Sequence, residues 1–132
     1  MTLVVDASVV AAALIDAGPV GSWAEQLLGS DALVAPHLLP VEVANVLRRA
    51  VAAGEVSADS ASLAHSDLLG LRVDLFDYEP VAERVWALRA SISSYDAWYV
   101  ALAESVDAPL ATLDRRLSRS QGARCRFVVP SG

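Results

Sequence analysis

Residues 3–8 read L-V-V-D-A-S, and few folds accommodate that run. A β-branched apolar stretch that stops on Asp6 and passes at once into an Ala-rich helical pattern, Ala7 to Asp16, predicts a strand buried on both faces and ending at a crevice. In open α/β sheets, ligands bind in the crevice beyond the carboxyl ends of the strands. The chain returns to such a place three more times, at Glu42, Asp96 and Asp114, each where a strand ends or a helix begins. Four converging carboxylates suggest a divalent-metal site.

The remaining pattern alternates strands with helices. After the first helix comes Gly18-Pro19, read as a helix stop, then a helix from Ser22 to Leu28 ended at Gly29. Leu33 to Ala35 is a brief strand. Leu38 to Ala53 carries apolar residues at helical spacing and stops at Gly54, and Ser57 to Leu69 is a further helix. Val73 to Phe76 predicts a third strand, and Pro80 opens a helix expected to carry Val81, Val85, Leu88 and Ile92 on one face. Ser93 and Ser94 can cap the helix from Tyr95 to Val106, followed by strands at Leu110 to Leu113 and Phe127 to Val129. Connections too long for hairpins argue for a three-layer α/β/α sandwich around a mainly parallel sheet. Its 132 residues, 55% of them hydrophobic, suit a single domain spanning 1–132.

Charge and composition remove several function classes. A formal charge of −6 argues against a non-specific polyanion binder. All ten basic residues are Arg, and Arg115, Arg116, Arg119, Arg124 and Arg126 crowd the last stretch. Without Lys, Schiff-base chemistry and P-loop nucleotide binding are excluded. Cys125 is the only cysteine, so there is no disulfide framework and no cysteine-rich zinc site, which fits a reducing compartment. No basic residue precedes the apolar start, Asp6 interrupts it, and no uncharged run is long enough to span a bilayer. The expectation is a cytoplasmic protein away from membranes.

Each acid has a structural reading beside the functional one. Asp6 and Asp114 can cap the helices that follow them, and Asp96 in a first helical turn favours the macrodipole by roughly 0.3–1 kcal/mol. Glu42, Asn45 and Arg49 form a polar stripe that solvent explains as well as a metal does. Topology couples the four: helices that follow parallel strands start at the carboxyl edge, and the helix from Tyr95 starts there too if it runs back to feed the strand at Leu110. Four carboxylates in one crevice repel one another unless a cation sits between them. Oxygen ligands without His or Cys favour Mg²⁺ or Mn²⁺ over zinc. D-A-S and T-L-D add Ser8 and Thr112 as supporting hydroxyls, with Asn45 a further polar neighbour on the Glu42 stripe. Arg115, Arg116 and Arg119, beside Asp114, are candidates for phosphate contact. His37 and His65 lack metal spacing, and Trp23, Trp86 and Trp98 read more readily as core or interface than as base-stacking residues.

The motifs V-V-D-A-S-V, P-V-E-V-A-N-V-L, S-Y-D-A-W-Y-V-A-L-A-E and P-L-A-T-L-D-R-R-L resemble the successive motifs of PIN-domain ribonucleases. In length and order the chain is similar to the VapC toxins of bacterial toxin–antitoxin pairs. The resemblance covers nearly the whole chain, and four ordered motifs are far more specific than any one. It implies Mg²⁺- or Mn²⁺-dependent cleavage of single-stranded RNA, a cognate VapB-like antitoxin and a homodimer. It places Asp6, Glu42, Asp96 and Asp114 as the acidic quartet, with Ser8 and Thr112 supporting. The competing expectation is a PIN fold kept as a protein-binding module, whose mark would be a broken quartet. Here the quartet is intact. An aspartyl-phosphate phosphatase would need a second Asp where Ser8 stands, and a Lys.

Overall fold

The apolar run that opens the chain becomes the middle of the molecule. In the computed structural model, which describes residues 1–131, the strands are β1 (Thr2–Val5), β2 (Ala32–Pro36), β3 (Val73–Phe76), β4 (Leu110–Ala111) and β5 (Phe127–Val128). They form one sheet in the order β3-β2-β1-β4-β5, every pair parallel. Register sets Val4 against Val34 on one side and Leu110 on the other. Val4 and Val5 are fully buried, as expected of a strand covered on both faces.

Seven helices connect the described strands: α1 (Ala7–Ile15), α2 (Pro19–Ser30), α3 (Leu39–Ala52), α4 (Ala58–Gly70), α5 (Ala82–Ala87), α6 (Ser94–Val106) and α7 (Arg115–Ser118). From β1 to β3 the chain steps toward one edge of the sheet, and from β3 to β5 toward the other. Right-handed crossovers therefore put α1 to α4 on one face and α5 to α7 on the opposite face. The packing agrees: α1 meets α2, α3 and α4, while α6 lies against β1, β2 and β4. This is the α/β sandwich expected from the sequence. The direction of winding reverses between β1 and β4, a topological switch point, and Asp6 and Thr112 are the residues that follow those two strands.

Helix α6 is buried almost all round, with Ala97, Tyr99, Val100, Ala101, Leu102 and Ala103 enclosed. Its small residues let it lie close to the sheet. On the other face α2 turns back across α1 at 112°. A Cβ on Gly21 would stand 1.8 Å from the carbonyl oxygen of Asp16, so only glycine permits that approach. No single described helix is long and apolar enough to cross a membrane, and the apolar side of the bent α1–α2 pair supplies core residues Val9, Val10 and Ala24.

Three local expectations are corrected. Gly18-Pro19 starts α2 rather than merely ending α1: Gly18 is the N-cap and Pro19 takes the first turn, where its missing N–H costs nothing. The helix expected through Ile92 stops at Ala87, after a 3-10 turn at Glu79–Val81. Leu88 is nevertheless buried, because its face continues in turns closed by hydrogen bonds from Leu88 N to Val85 O and from Ser91 N to Leu88 O. Strand β4 ends at Ala111, two residues early, because the chain turns toward Asp114, which caps the four-residue α7.

Candidate active site

Asp6 stands at the mouth of the switch point, and both predicted supporting hydroxyls serve it. Ser8 Oγ donates to Asp6 Oδ1 at 2.6 Å and accepts from Leu113 N at 3.1 Å. Thr112 Oγ1 donates to Asp6 Oδ2 at 2.5 Å and accepts from Asp114 N at 3.0 Å. Each hydroxyl thus ties the end of β1 to the segment after β4. Asp6 also caps α1, its Oδ1 accepting from Val9 N at 3.1 Å. Three of the roughly four lone-pair directions of the carboxylate are taken, leaving one on Oδ2.

The structural and functional readings coexist at the other acids. Asp114 Oδ1 caps α7 by accepting from Arg116 N and Leu117 N at 2.9 and 3.1 Å, which leaves its second oxygen outside the cap. Asp96 occupies the first turn of α6, with its own N–H donated to the N-cap Ser93. Glu42, in the first turn of α3, accepts a 2.7 Å hydrogen bond from the Tyr99 hydroxyl. Tyr99 is 2% exposed, so its phenol crosses the interior from α6 to reach α3. Sequence reasoning missed it. The available signal was a phenol among small apolar residues on a buried helix, since buried Tyr hydroxyls find partners.

The charges of the four acids act on one another. Burial raises the Asp6 carboxyl above its ordinary 3.8, against hydrogen bonds from Ser8 and Thr112, and the charge of Asp96 adds to the rise. Burial raises Glu42 above 4.5, with Asp96 and Asp6 adding to it. Asp96 is raised by burial and then by Asp114. Burial and the neighbouring Glu42 push the Tyr99 hydroxyl far up, which keeps it a donor. Three carboxyls raised by burial and by one another's charge form a place where added positive charge is stabilising.

The remaining predicted residues separate. Asn45 is exposed and accepts from Arg48 Nε at 3.0 Å, so the structure gives it to its own helix rather than to the acids. Arg115 donates to the Pro130 carbonyl, turned toward the C-terminal segment. Arg116 lines a cleft together with Asp96 and Asp114, and Arg119 is exposed at the C-cap of α7. His37 pairs with Asp77 at 3.1 Å. Trp98 packs edge-on to Tyr78 at 5.3 Å, and Trp86 is 64% exposed with Arg89 over its ring.

Among the described residues, no three acids converge as a ready cage for a cation. That still fits Mg²⁺, which is held by one or two carboxylates together with waters and substrate phosphate rather than by an all-protein cage. The donor set is oxygen only, and Asp6 and Asp114 each keep carboxylate lone pairs outside these hydrogen bonds. The residues present fit a hard divalent cation.

Two clefts flank the acids. One, of about 440 Å³, is lined by Ala11, Ala12, Ile15, Val46 and Val56 and reaches Ser8 and Leu113. The other, of about 340 Å³, lies between the start of α6 and the end of α7.

Comparison with known proteins points to one family. The PIN domain family model matches residues 3–122. The chain is 39% identical over 127 residues to a VapC ribonuclease of Mycobacterium bovis, covering 96% of this chain and 97% of that protein. It is 41% identical over 127 residues to ribonuclease VapC1 of Mycobacterium tuberculosis, covering 96% of each. Among solved structures it superposes on VapC20 of Mycobacterium tuberculosis, a toxin that cleaves the sarcin–ricin loop, with a TM-score of 0.72 at 19% identity over 97% of this chain and 99% of that one. VapBC2 of Rickettsia felis, bound to a fragment of its promoter DNA, gives 0.65 at 12% identity over 98% of each chain.

Proposed function

The chain belongs to the PIN-domain family, among the VapC ribonucleases, and from that premise we propose that it is a toxin that hydrolyses single-stranded or loop RNA with Mg²⁺ or Mn²⁺ at Asp6, Glu42, Asp96 and Asp114. The observation that carries the reading is the coupled acid cluster at the switch point, with Asp6 locked by Ser8 and Thr112. The whole chain acts as one domain, in the cytoplasm with its RNA.

A bound divalent cation supplies Lewis acidity toward the scissile phosphate and acidifies water, so no His base is required. This chain's residues do the rest. Asp6 and Asp114 present oxygens whose orientation is fixed by helix caps and hydroxyls. Glu42 is aimed by Tyr99 and, with Asp96, would supply negative charge to hold such a cation. Arg116 lies where a phosphate oxygen of the substrate is met.

The partner is a VapB-like antitoxin. Its apolar tail occupies the α1–α3 cleft, and a cationic side chain on that tail reaches the carboxylates and competes with metal. The toxin pairs with a second copy as a homodimer and with the antitoxin as a heteromer.

Purified protein on a heterogeneous RNA pool tests the chemistry. Cleavage is expected with Mg²⁺ or Mn²⁺ and not in EDTA. Asp6→Asn or Asp114→Asn should lower the rate by about 10²-fold or more, as removal of a preorganised electrostatic group does, while thermal unfolding stays cooperative. Full-rate cleavage in EDTA would reject the metal, and wild-type cleavage by either variant would reject that residue.

A further inference from the structure

The 340 Å³ cleft between α6 and α7 is walled by Ser91, Ser93, Arg116 and Ser120 and is continuous with Asp96 and Asp114. Ser120 Oγ is shut away from solvent and has no hydrogen-bond partner among the described residues. A hydroxyl without a partner costs stability, and Ser120 stands in the wall of this cleft. Ser93 Oγ accepts from Asp96 N and keeps its proton to donate. The walls are also fixed. Arg84 grips Glu104 of α6 at 2.6 and 3.1 Å and donates to the Gly122 carbonyl, pinning the turn that follows Ser120.

We propose that this cleft is the subsite for one nucleotide next to the scissile phosphate, with Arg116 on the phosphate and the serine hydroxyls on the base edge. The proposal rests on the ribonuclease reading and adds to it the place where sequence is read. Hydroxyls both donate and accept, which suits the exposed edges of an unpaired base. Arg forks onto phosphate oxygens. At the lower end of the roughly 300–1,000 Å³ range of ligand pockets, the cleft has room for one nucleotide rather than for a folded stem. Asp96 and Asp114 in its lining put the adjoining phosphate at the acids. The α1–α3 cleft, with its Ala, Ile and Val lining, offers no such set of donors.

The test is a random-sequence RNA pool cut in Mn²⁺ by the wild type, Ser120→Val, Ser120→Ala and Arg116→Ala, with the product ends sequenced. The wild type is expected to favour particular bases at one position flanking the cut. Ser120→Val, which fills the cleft, should flatten that position alone. Ser120→Ala should weaken the same preference while melting at or above the wild-type temperature, so that the change cannot come from unfolding. Arg116→Ala should raise KM about tenfold, the loss of one charge-assisted contact, with the base preference retained. Calorimetric Mn²⁺ affinity should match the wild type in all three. Wild-type cutting with profile and KM unchanged in the variants overturns the subsite and leaves the nuclease reading standing. Absence of any metal-dependent cutting by the wild type overturns both.

Discussion

On the α1–α3 side of the acids the surface is mainly Ala11, Ala12, Ile15, Val46 and Val56, with Asp16 and Glu55 also in the lining, and on the α6–α7 side mainly Ser91, Ser93, Arg116 and Ser120, with Ile92 and Leu117 among them. The two clefts are similar in size and suit different occupants: the second holds Asp96 and Asp114 in its wall, and the first reaches the acids only at Ser8, the hydrogen-bond partner of Asp6. An apolar groove gains from covering hydrocarbon and holds a peptide side chain well. A hydroxyl-lined groove with a guanidinium gains little from hydrocarbon and is suited to a base and a phosphate. One acidic ridge can therefore face an inhibitor on one hand and a substrate on the other, without a change of fold.

The largest expected break in that contrast is Val46→Glu. A carboxylate placed in the apolar wall should weaken antitoxin association by about 10- to 100-fold, the cost of truncating or charging a central contact. RNA cleavage by the free toxin should stay at the wild-type rate. Titration calorimetry with the antitoxin, paired with the RNA assay, reads both; a parallel loss of cleavage would show that the two clefts are not separate.

A smaller effect is expected where the two sides are joined. Tyr99 on α6 holds Glu42 on α3, so Tyr99→Phe keeps the packing and removes the link. Mn²⁺ affinity should fall about tenfold, at the lower end of what a lost supporting partner of a metal ligand costs. Stability should fall by about 1 kcal/mol. Mn²⁺ binding measured directly, rather than turnover, is the deciding quantity, and an unchanged affinity would make the hydrogen bond purely structural.

That bond also shows where sequence reading reached its limit. The β1 run and the caps at Asp6 and Asp114 were legible because each is local: a strand pattern that stops, or a cap residue before a helix. The pairing of Tyr99 with Glu42 joins residues 57 apart, and no local pattern carries it. Ser91 and Ser120 read as ordinary turn residues until the fold brings them together beside Arg116. Asn45 misled for the opposite reason, since its helical spacing from Glu42 was right but its side chain bonds to Arg48 on the exposed face. The early end of α5 was hidden because Leu88 stays buried after the helix has stopped.

The smallest effect concerns the ridge itself. Asp6, Glu42 and Asp96 have folded pKa values raised above the ordinary 3.8 to 4.5, mainly by burial and then by one another. Raised carboxylates contribute stability that is full below their unfolded pKa and is lost as pH rises through the folded values. In EDTA, Asp6→Asn should therefore gain in melting temperature relative to the wild type as pH is taken from about 4 to about 7. Saturating Mn²⁺ should stabilise the wild type more than the variant and shrink that gap. A gap independent of pH would mean that Asp6 carries no such repulsion.

Asp6 and Thr112 are hydrogen-bonded across 106 residues of chain, and that separation is also an interval of time. At about 5–20 residues per second, a ribosome needs roughly 5–20 seconds to pass from one to the other. During that interval Asp6 exists without Thr112, and α7 with its cap at Asp114 has yet to be made. Apart from Leu113, every residue lining the apolar cleft lies at or before Val56. In the order of synthesis, almost all of the groove proposed for the antitoxin precedes the last parts of the acidic site, so that groove is spelled out, but for Leu113, before the acids are complete.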